Sequence, residues 1–534
     1  MTINMKNILK GLAVAVCFST MLNSCTGKFM DYNTNKHEAT DEQLEMDNIS
    51  TGALVSQLQR SVIFFADGTY LDSDYQVMYN LLADSYAGYF APTGTWEGGK
   101  HTGSYFMTES WRRALFANKY VYAMQAWVSL EKAAQEQNLP HVSAMGKILK
   151  VASMHQVADY YGPIPYSESG QSLTPSYDAL DKVYEQFFEE LDSAIETLNS
   201  YKNTSSTIFA KYDYVYGGDV VKWIRFANSL RLRLAMRVVY AAPELAQLEA
   251  EKSLNDVTGV MTAANESATI QKSAINYIHP VNEINVAFND GDTQMGASMD
   301  VYLNGYNDPR RAIYFKPAAD GAFHGVRNGV KTSNWTNYRN AAGKVSAPNA
   351  LNYSITWLNA SEVYFLRAEG ALRGWAMGGT AQELYEKGIR TSFEETGATG
   401  ADTYIANSTA VPAAFTDNVS NASMAALSTV TIAWDEAADF ETKLEKIMTQ
   451  KWLAIFPNSC EAWAEYRRTG YPQLLPVVNN DSSGAVASDL QIRRVTYPHD
   501  EYSNNPAGVA SGVAKLGGLD NVGTKLWWDQ KPRN

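Results

Sequence analysis

Apolar residues return every three or four places through several long segments of the chain, the spacing that lines one face of a helix. Trp111, Leu115, Tyr122, Ala126 and Leu130 follow it, as do Val183, Phe187, Leu191, Ala194, Ile195 and Leu198. A third face runs Val220, Ile224, Ala227, Leu230, Leu234 and Val238. Arg225, Arg231, Arg233 and Arg237 fall mostly off that face and read as a solvated or salt-bridged flank. Toward the carboxyl end, "WLNASEVYFLRAEGALRGW" sets Tyr364, Ala368, Ala371 and Trp375 on one side, and "AQELYEKGIRTSFEE" follows a Gly-Gly break. Small residues on facing surfaces suit closely paired helices, so the pattern predicts a mainly helical fold with repeat-like hairpins.

Four stretches lack this period: 69–108, 256–350, 397–436 and 479–534, each rich in Gly, Asn, Ser, Thr and Pro. Loops of such length are uncommon in a compact body unless they carry function. No shift in composition divides residues 51–534, which therefore read as one domain with elaborated loops.

The amino terminus is different. Lys6 and Lys10 precede the apolar run "GLAVAVCFSTML", in the order of an export signal and too short to span a bilayer. Directly after it, "LNSC" places Leu22 three positions before Cys25 and small Ser24 just before it, which resembles the lipobox of bacterial lipoproteins; Asn23 departs from the small residue usual there. This implies that residues 1–24 are a signal peptide and that Cys25 becomes the lipidated first residue. Acyl chains would then hold it to a membrane at about 0.8 kcal/mol per buried methylene. Residues 25–50, polar and acidic, read as a tether. Of the three cysteines only Cys460 lies in the body, so neither a disulfide nor a cysteine metal cluster is expected there.

Net charge bounds the partners. At −13, with no basic block and two of its lysines in the signal, the chain offers no surface for nucleic acid or anionic lipid. Tyrosine is the compositional outlier, with 32 copies beside 12 Trp and 19 Phe, and amphipathic rings in that number suit contact with a partly polar ligand as well as a large core.

Three segments carry a further resemblance: "ADYYGPIPYSES" at 158–169, "ASEVYFLRAEGALRGW" at 360–375 and "KIMTQKWLAIFPNSCEAWAEYRRTGYP" at 446–472. With the lipobox and "CTGKFMDYNTN", they make the chain similar, nearly end to end, to the SusD/RagB-like outer-membrane lipoproteins of Bacteroidetes. Each segment also has a local reading. Gly162, Pro163 and Pro165 end a helix. Trp452, Phe456, Trp463 and Tyr466 form an aromatic face, and Arg467 and Arg468 can bond carbonyls before Gly470 stops the helix. These are expected to hold the scaffold.

The resemblance implies about four tetratricopeptide-like hairpins, near 109–160, 178–240, 357–396 and 437–467, carrying a large loop-rich ligand-binding region. It also implies a surface lipoprotein that binds a nutrient, usually a glycan, as the lid of a SusC-like TonB-dependent transporter, without catalytic machinery.

Enzyme and metal signals are sparse. The seven histidines are scattered, with no zinc or nucleophile-elbow motif. His155 and Asp159, four apart on a helix, could share a metal or form a core polar pair. Paired acids for glycoside hydrolysis cannot be recognised without spatial separation. "GAFHGVRNGV" lacks the ending of a phosphate loop. No cofactor is expected, with calcium the one option: "LDSDYQ" at 71–76 and "NDGDTQ" at 289–294 space acids as oxygen ligands, and equally as turn residues.

A sugar ring needs an exposed aromatic against its C–H face and polar groups at its hydroxyl rim. Trp96, with Tyr89 and Phe90 upstream, and Trp335 with Tyr338 sit among Gly, Ser, Thr and Asn in loops, and Arg327 and Asn328 could meet hydroxyls. Tyr302 and Tyr306 are further candidates. For each, burial as a loop anchor is the competing reading. A peptide in place of the glycan, or a surface hydrolase, are the alternative functions.

Overall fold

The computed structural model describes residues 48–66, 72–94, 98–205, 209–288, 291–331, 335–339 and 343–532. It divides into two units, residues 1–53 and 54–534. The predicted signal peptide and Cys25 lie outside the described residues.

The longer helices, in chain order, are α1 (Ile49–Val62), α2 (Glu109–Asn118), α3 (Gln125–Glu136), α4 (Pro140–Tyr161), α5 (Leu180–Tyr201), α6 (Val220–Arg237), α7 (Pro243–Asn255), α8 (Ala297–Gly305), α9 (Ala360–Leu372), α10 (Ala381–Thr396), α11 (Phe440–Ala454), α12 (Ser459–Thr469) and α13 (Pro506–Lys515). Among the described residues the strands are short: β1 (Phe90–Pro92), β2 (Ala268–Thr269), β3 (Thr293–Met295) and β4 (Thr356–Leu358), paired antiparallel as β1–β3 and β2–β4. The protein is mainly helical, with the four expected helix pairs in place.

Local chemistry accounts for the helix ends. Asp219 caps α6 by accepting from the Lys222 amide at 3.1 Å, and Asp439 caps α11 through Thr442 at 2.7 Å. Thr380 and Glu383 form a reciprocal capping box on α10, which Gly397 ends in the left-handed region. The predicted face of α5 is buried from Val183 to Leu198. Gly388 lets α10 approach α9, since a Cβ there would stand 2.8 Å from the Phe365 ring.

Of the two readings of the arginine flank of α6, the salt-bridged one holds: all four members are ion-paired, and Arg231, Arg233 and Arg237 are buried. Arg231 meets Asp192 at 2.8 Å, Arg233 meets Glu362 at 2.6 Å, and Arg237 meets Glu461 at 2.5 Å together with Glu465 and Asp159. Lys451 of α11 bridges Glu461 and Glu465, and Arg468 of α12 pairs with Glu369 of α9 at 2.6 Å. Helices α4, α6, α9, α11 and α12 are thus tied by charges inside the core. Burial alone would raise the Glu461 carboxyl, but Arg237, Lys451 and Arg233 hold it down at about 2.

Two of these longer helices fall in stretches read as non-helical. Helix α8 is short, and α13, "PAGVASGVAK", holds two glycines. Gly512 of α13 lies against the Tyr177 ring, where a Cβ would come within 2.6 Å, so this helix is fixed by what it packs on.

Candidate functional site

The loops bearing Trp96 and Trp335 spring from one small scaffold. Strands β1 and β3 pair with Phe90 opposite Met295 and Pro92 opposite Thr293. Just before β3, Asp292 accepts hydrogen bonds from the Thr93 amide and hydroxyl, both at 3.0 Å, and from the Gly94 amide. The Arg339 guanidinium stands 4.0 Å from the same carboxylate. Thr93 and Gly94 precede Trp96 and Arg339 follows Trp335, so one buried carboxylate ties the roots of both loops. Burial raises the Asp292 carboxyl above its usual range despite these donors and Arg339.

Further contacts fix the second loop. Lys331 pairs with Asp481 at 2.6 Å, and Asp481 also accepts from the Ser104 hydroxyl at 2.6 Å. Burial would lift the Asp481 carboxyl, but these two donors bring it below its ordinary value. The short 3-10 turn Trp335–Tyr338 then presents its backbone beside the β1–β3 pair through Tyr338, which packs with Ala91, Val326, Val330, Val345 and Ala422.

The structure separates the sequence candidates by role. Trp96 lies outside the described residues, and at Trp335 the backbone is described but the side chain is not. Four tyrosines are corrected from exposed candidates to buried anchors, with no face open for stacking. Tyr89 donates to the Trp452 carbonyl at 2.6 Å, Tyr302 to that of Gln473 at 3.2 Å and Tyr306 to that of Val430 at 3.0 Å. Tyr338 is buried with its hydroxyl on Asp417 at 3.0 Å. Phe90 is likewise core.

Arg327 and Asn328 are corrected too. Arg327 is half-buried and donates to the Ala422 and Pro476 carbonyls at 3.1 and 2.6 Å; Asn328 donates to Ser85 and Phe90 carbonyls at 3.0 and 3.4 Å. They clamp loops to one another, because irregular backbone has no ladder to satisfy its carbonyls and side chains must do so. Asp292, the organising residue, was visible in the sequence only as a calcium candidate. Asp74 lies in a helical turn, Asp72–Tyr75, and Asp290 is outside the described residues. Among the described residues no three His, Cys, Asp or Glu side chains converge as a metal site. His155 and Asp159 do not meet: the imidazole bonds the Val151 carbonyl at 3.0 Å, while Asp159 accepts from Tyr184 at 2.7 Å.

The sequence matches the SusD-like family, described as Susd and RagB outer membrane lipoprotein, over residues 31–529. The chain belongs to the SusD-like family. Solved SusD homologues share its fold. One from Flavobacterium johnsoniae, described as chitin-binding, is 38% identical with a TM-score of 0.85, covering 90% of this chain and 98% of its own. A SusD homologue from Bacteroides uniformis is 37% identical with a TM-score of 0.84, covering 90% and 99%. One from Bacteroides vulgatus is 33% identical with a TM-score of 0.85, covering 92% and 100%. No protein with a curated description matches.

The hallmark SusD-like segments prove to be scaffold. Trp452 donates to the Ala87 carbonyl at 2.8 Å and Trp463 to that of Ile492 at 2.8 Å, while Arg467 lies 3.6 Å over the Trp463 ring. Tyr160, Tyr161, Ile164 and Tyr166 are buried. At the level of the family, with a chitin-binding SusD homologue among the relatives, binding of a glycan is supported. Among the described residues no helix is long and apolar enough to cross a membrane, and the family is one of outer-membrane lipoproteins.

Proposed function

We propose that this protein captures a glycan at the cell surface on the face formed by the 93–98 and 331–339 loops. It then hands the glycan to a SusC-like TonB-dependent transporter, while a lipid on Cys25 keeps it moored to the outer membrane. The observation that carries this reading is the shared carboxylate of Asp292, which brings the roots of both tryptophan loops to one place. Two indoles on neighbouring loops can stack on successive sugar units, with loop amides and hydroxyls serving the rim. An open face leaves part of the ligand in water, so affinity should be modest. The protein acts by binding and does no chemistry on the ligand. A chitin oligosaccharide is the first ligand to try, given the chitin-binding relative.

The experiment is affinity electrophoresis and a glycan array with the chain lacking residues 1–25, run beside a reducing-end assay. Glycan retention that is lost in folded Trp96→Ala and Trp335→Ala variants is expected. Unchanged retention in both variants, retention of peptides only, or release of reducing ends would each overturn the reading.

A further inference from the structure

A cavity of about 350 Å³, lined by no described residue of the 93–98 or 331–339 loops, lies between α8, residues 321–324 and residues 413–416. Asn304 is its hub: the amide nitrogen donates to Asp300 at 2.7 Å and to the Phe323 carbonyl at 2.8 Å, and its oxygen accepts from Arg311 at 2.8 Å. Arg311 is held further by Asn307 at 3.3 Å and by the Phe323 ring, whose centroid is 4.8 Å from the guanidinium carbon. The His324 ring contacts Asp320 at 2.8 Å, and its backbone exchanges hydrogen bonds with Ser346. On the opposite wall, the Ala413 amide bonds the Val301 carbonyl at 2.9 Å.

Asp300, Asn304, Arg311 and His324, which line this cavity, are each held by a neighbour before any ligand arrives, which spares part of the ordering cost of binding. Arg311 uses two of the five donors a guanidinium carries, so the others remain for a ligand. Asp300 and Asp320 set two carboxylates against the one guanidinium of Arg311, so the surroundings of the cavity carry no positive excess to draw an anion. A half-buried ring, with a carboxylate, an amide, a guanidinium and an imidazole around it, matches a ring-shaped ligand with one C–H face and a hydroxylated rim.

We propose that this cavity is a second sugar site, taking one neutral pyranose unit with its apolar face on Phe323 and its hydroxyls on Arg311, His324 and Asp300. It is distinct from the tryptophan loops and does not depend on them.

Saturation-transfer NMR on the full chain, with glucose, galactose, mannose and N-acetylglucosamine as probes, tests the site. At least one sugar should give signal with the wild type and keep it in the Trp96→Ala/Trp335→Ala variant. Its affinity should fall roughly fivefold in Phe323→Ala, as the loss of a ring contact implies. Should Phe323→Ala fail to fold, Thr416→Trp, which fills the cavity from its exposed wall, must give the same loss. The proposal is overturned by absence of signal from all four sugars, or by signal that vanishes with the two tryptophans yet persists in Thr416→Trp. Tighter binding of glucuronate than of glucose would overturn the neutral assignment.

Discussion

Arg237, in the helical core, spends its guanidinium on the carboxylates of Glu461, Glu465 and Asp159; Arg327, in the loop face, spends its own on two carbonyl oxygens from two other loops. The contrast follows from the backbone around each. Helices satisfy most of their own peptide groups, so the charged side chains that α6 buries between helices are met by charges of opposite sign. Loops leave peptide groups unpaired, so arginine, asparagine and tyrosine side chains are drawn to carbonyls instead. An arginine or tyrosine in a loop is therefore no sign of a ligand until its neighbours are known.

The largest expected effect breaks the core side of this comparison. Arg237→Met leaves three buried carboxylates undercompensated and should cost about 3–5 kcal/mol in urea unfolding. A loss below roughly 1 kcal/mol, the range of exposed pairs, would show that these charges do not act as a buried network.

On the loop side, Asp292→Ala removes the acceptor of three donors and should cost about 1–3 kcal/mol, confined to the loop face. Hydrogen exchange should quicken at the Thr93 and Gly94 amides while α4 and α6 keep their protection. Equal quickening throughout would mean that the two regions do not open separately.

Lys119 sharpens the comparison because it sits in the core yet bonds in the loop manner, to the Ser61 and Val62 carbonyls at 2.8 Å and the Ser153 hydroxyl at 3.2 Å. Burial lowers its pKa to about 7, whereas the unfolded chain holds that proton up to its ordinary value of 10.5. Between these values the unfolded state binds more protons, so stability should rise with pH from about 7 upward. The slope should approach about 1.4 kcal/mol per pH unit. Urea midpoints at pH 7 and 9.5 should show this rise in the wild type and a smaller one in Lys119→Met; parallel profiles would refute it.

How much was legible in the sequence differs between the same two regions. The apolar period placed α5, α6, α9 and α10, because one helix face obeys a local rule that survives folding. It failed at α13, whose glycines argue against a helix until the Tyr177 ring is set against Gly512. In the loop face, residue type pointed to Tyr89, Tyr302, Tyr306, Tyr338, Arg327 and Asn328 as ligand contacts, and each proved to hold the loops together. Type does not encode exposure where no period exists.

The sequence by itself determined the family, the helical hairpins and the acidic balance, since motifs, periodicity and composition are properties of neighbours along the chain. The tertiary structure alone decided that the α6 arginines turn inward to carboxylates on α4, α9 and α12, that Asp292 gathers two distant loops, and that Asn304, Arg311 and Phe323 meet around a cavity. Those contacts join residues far apart in the chain. Their partners are chosen by the packing of whole helices and loops, which no local pattern records.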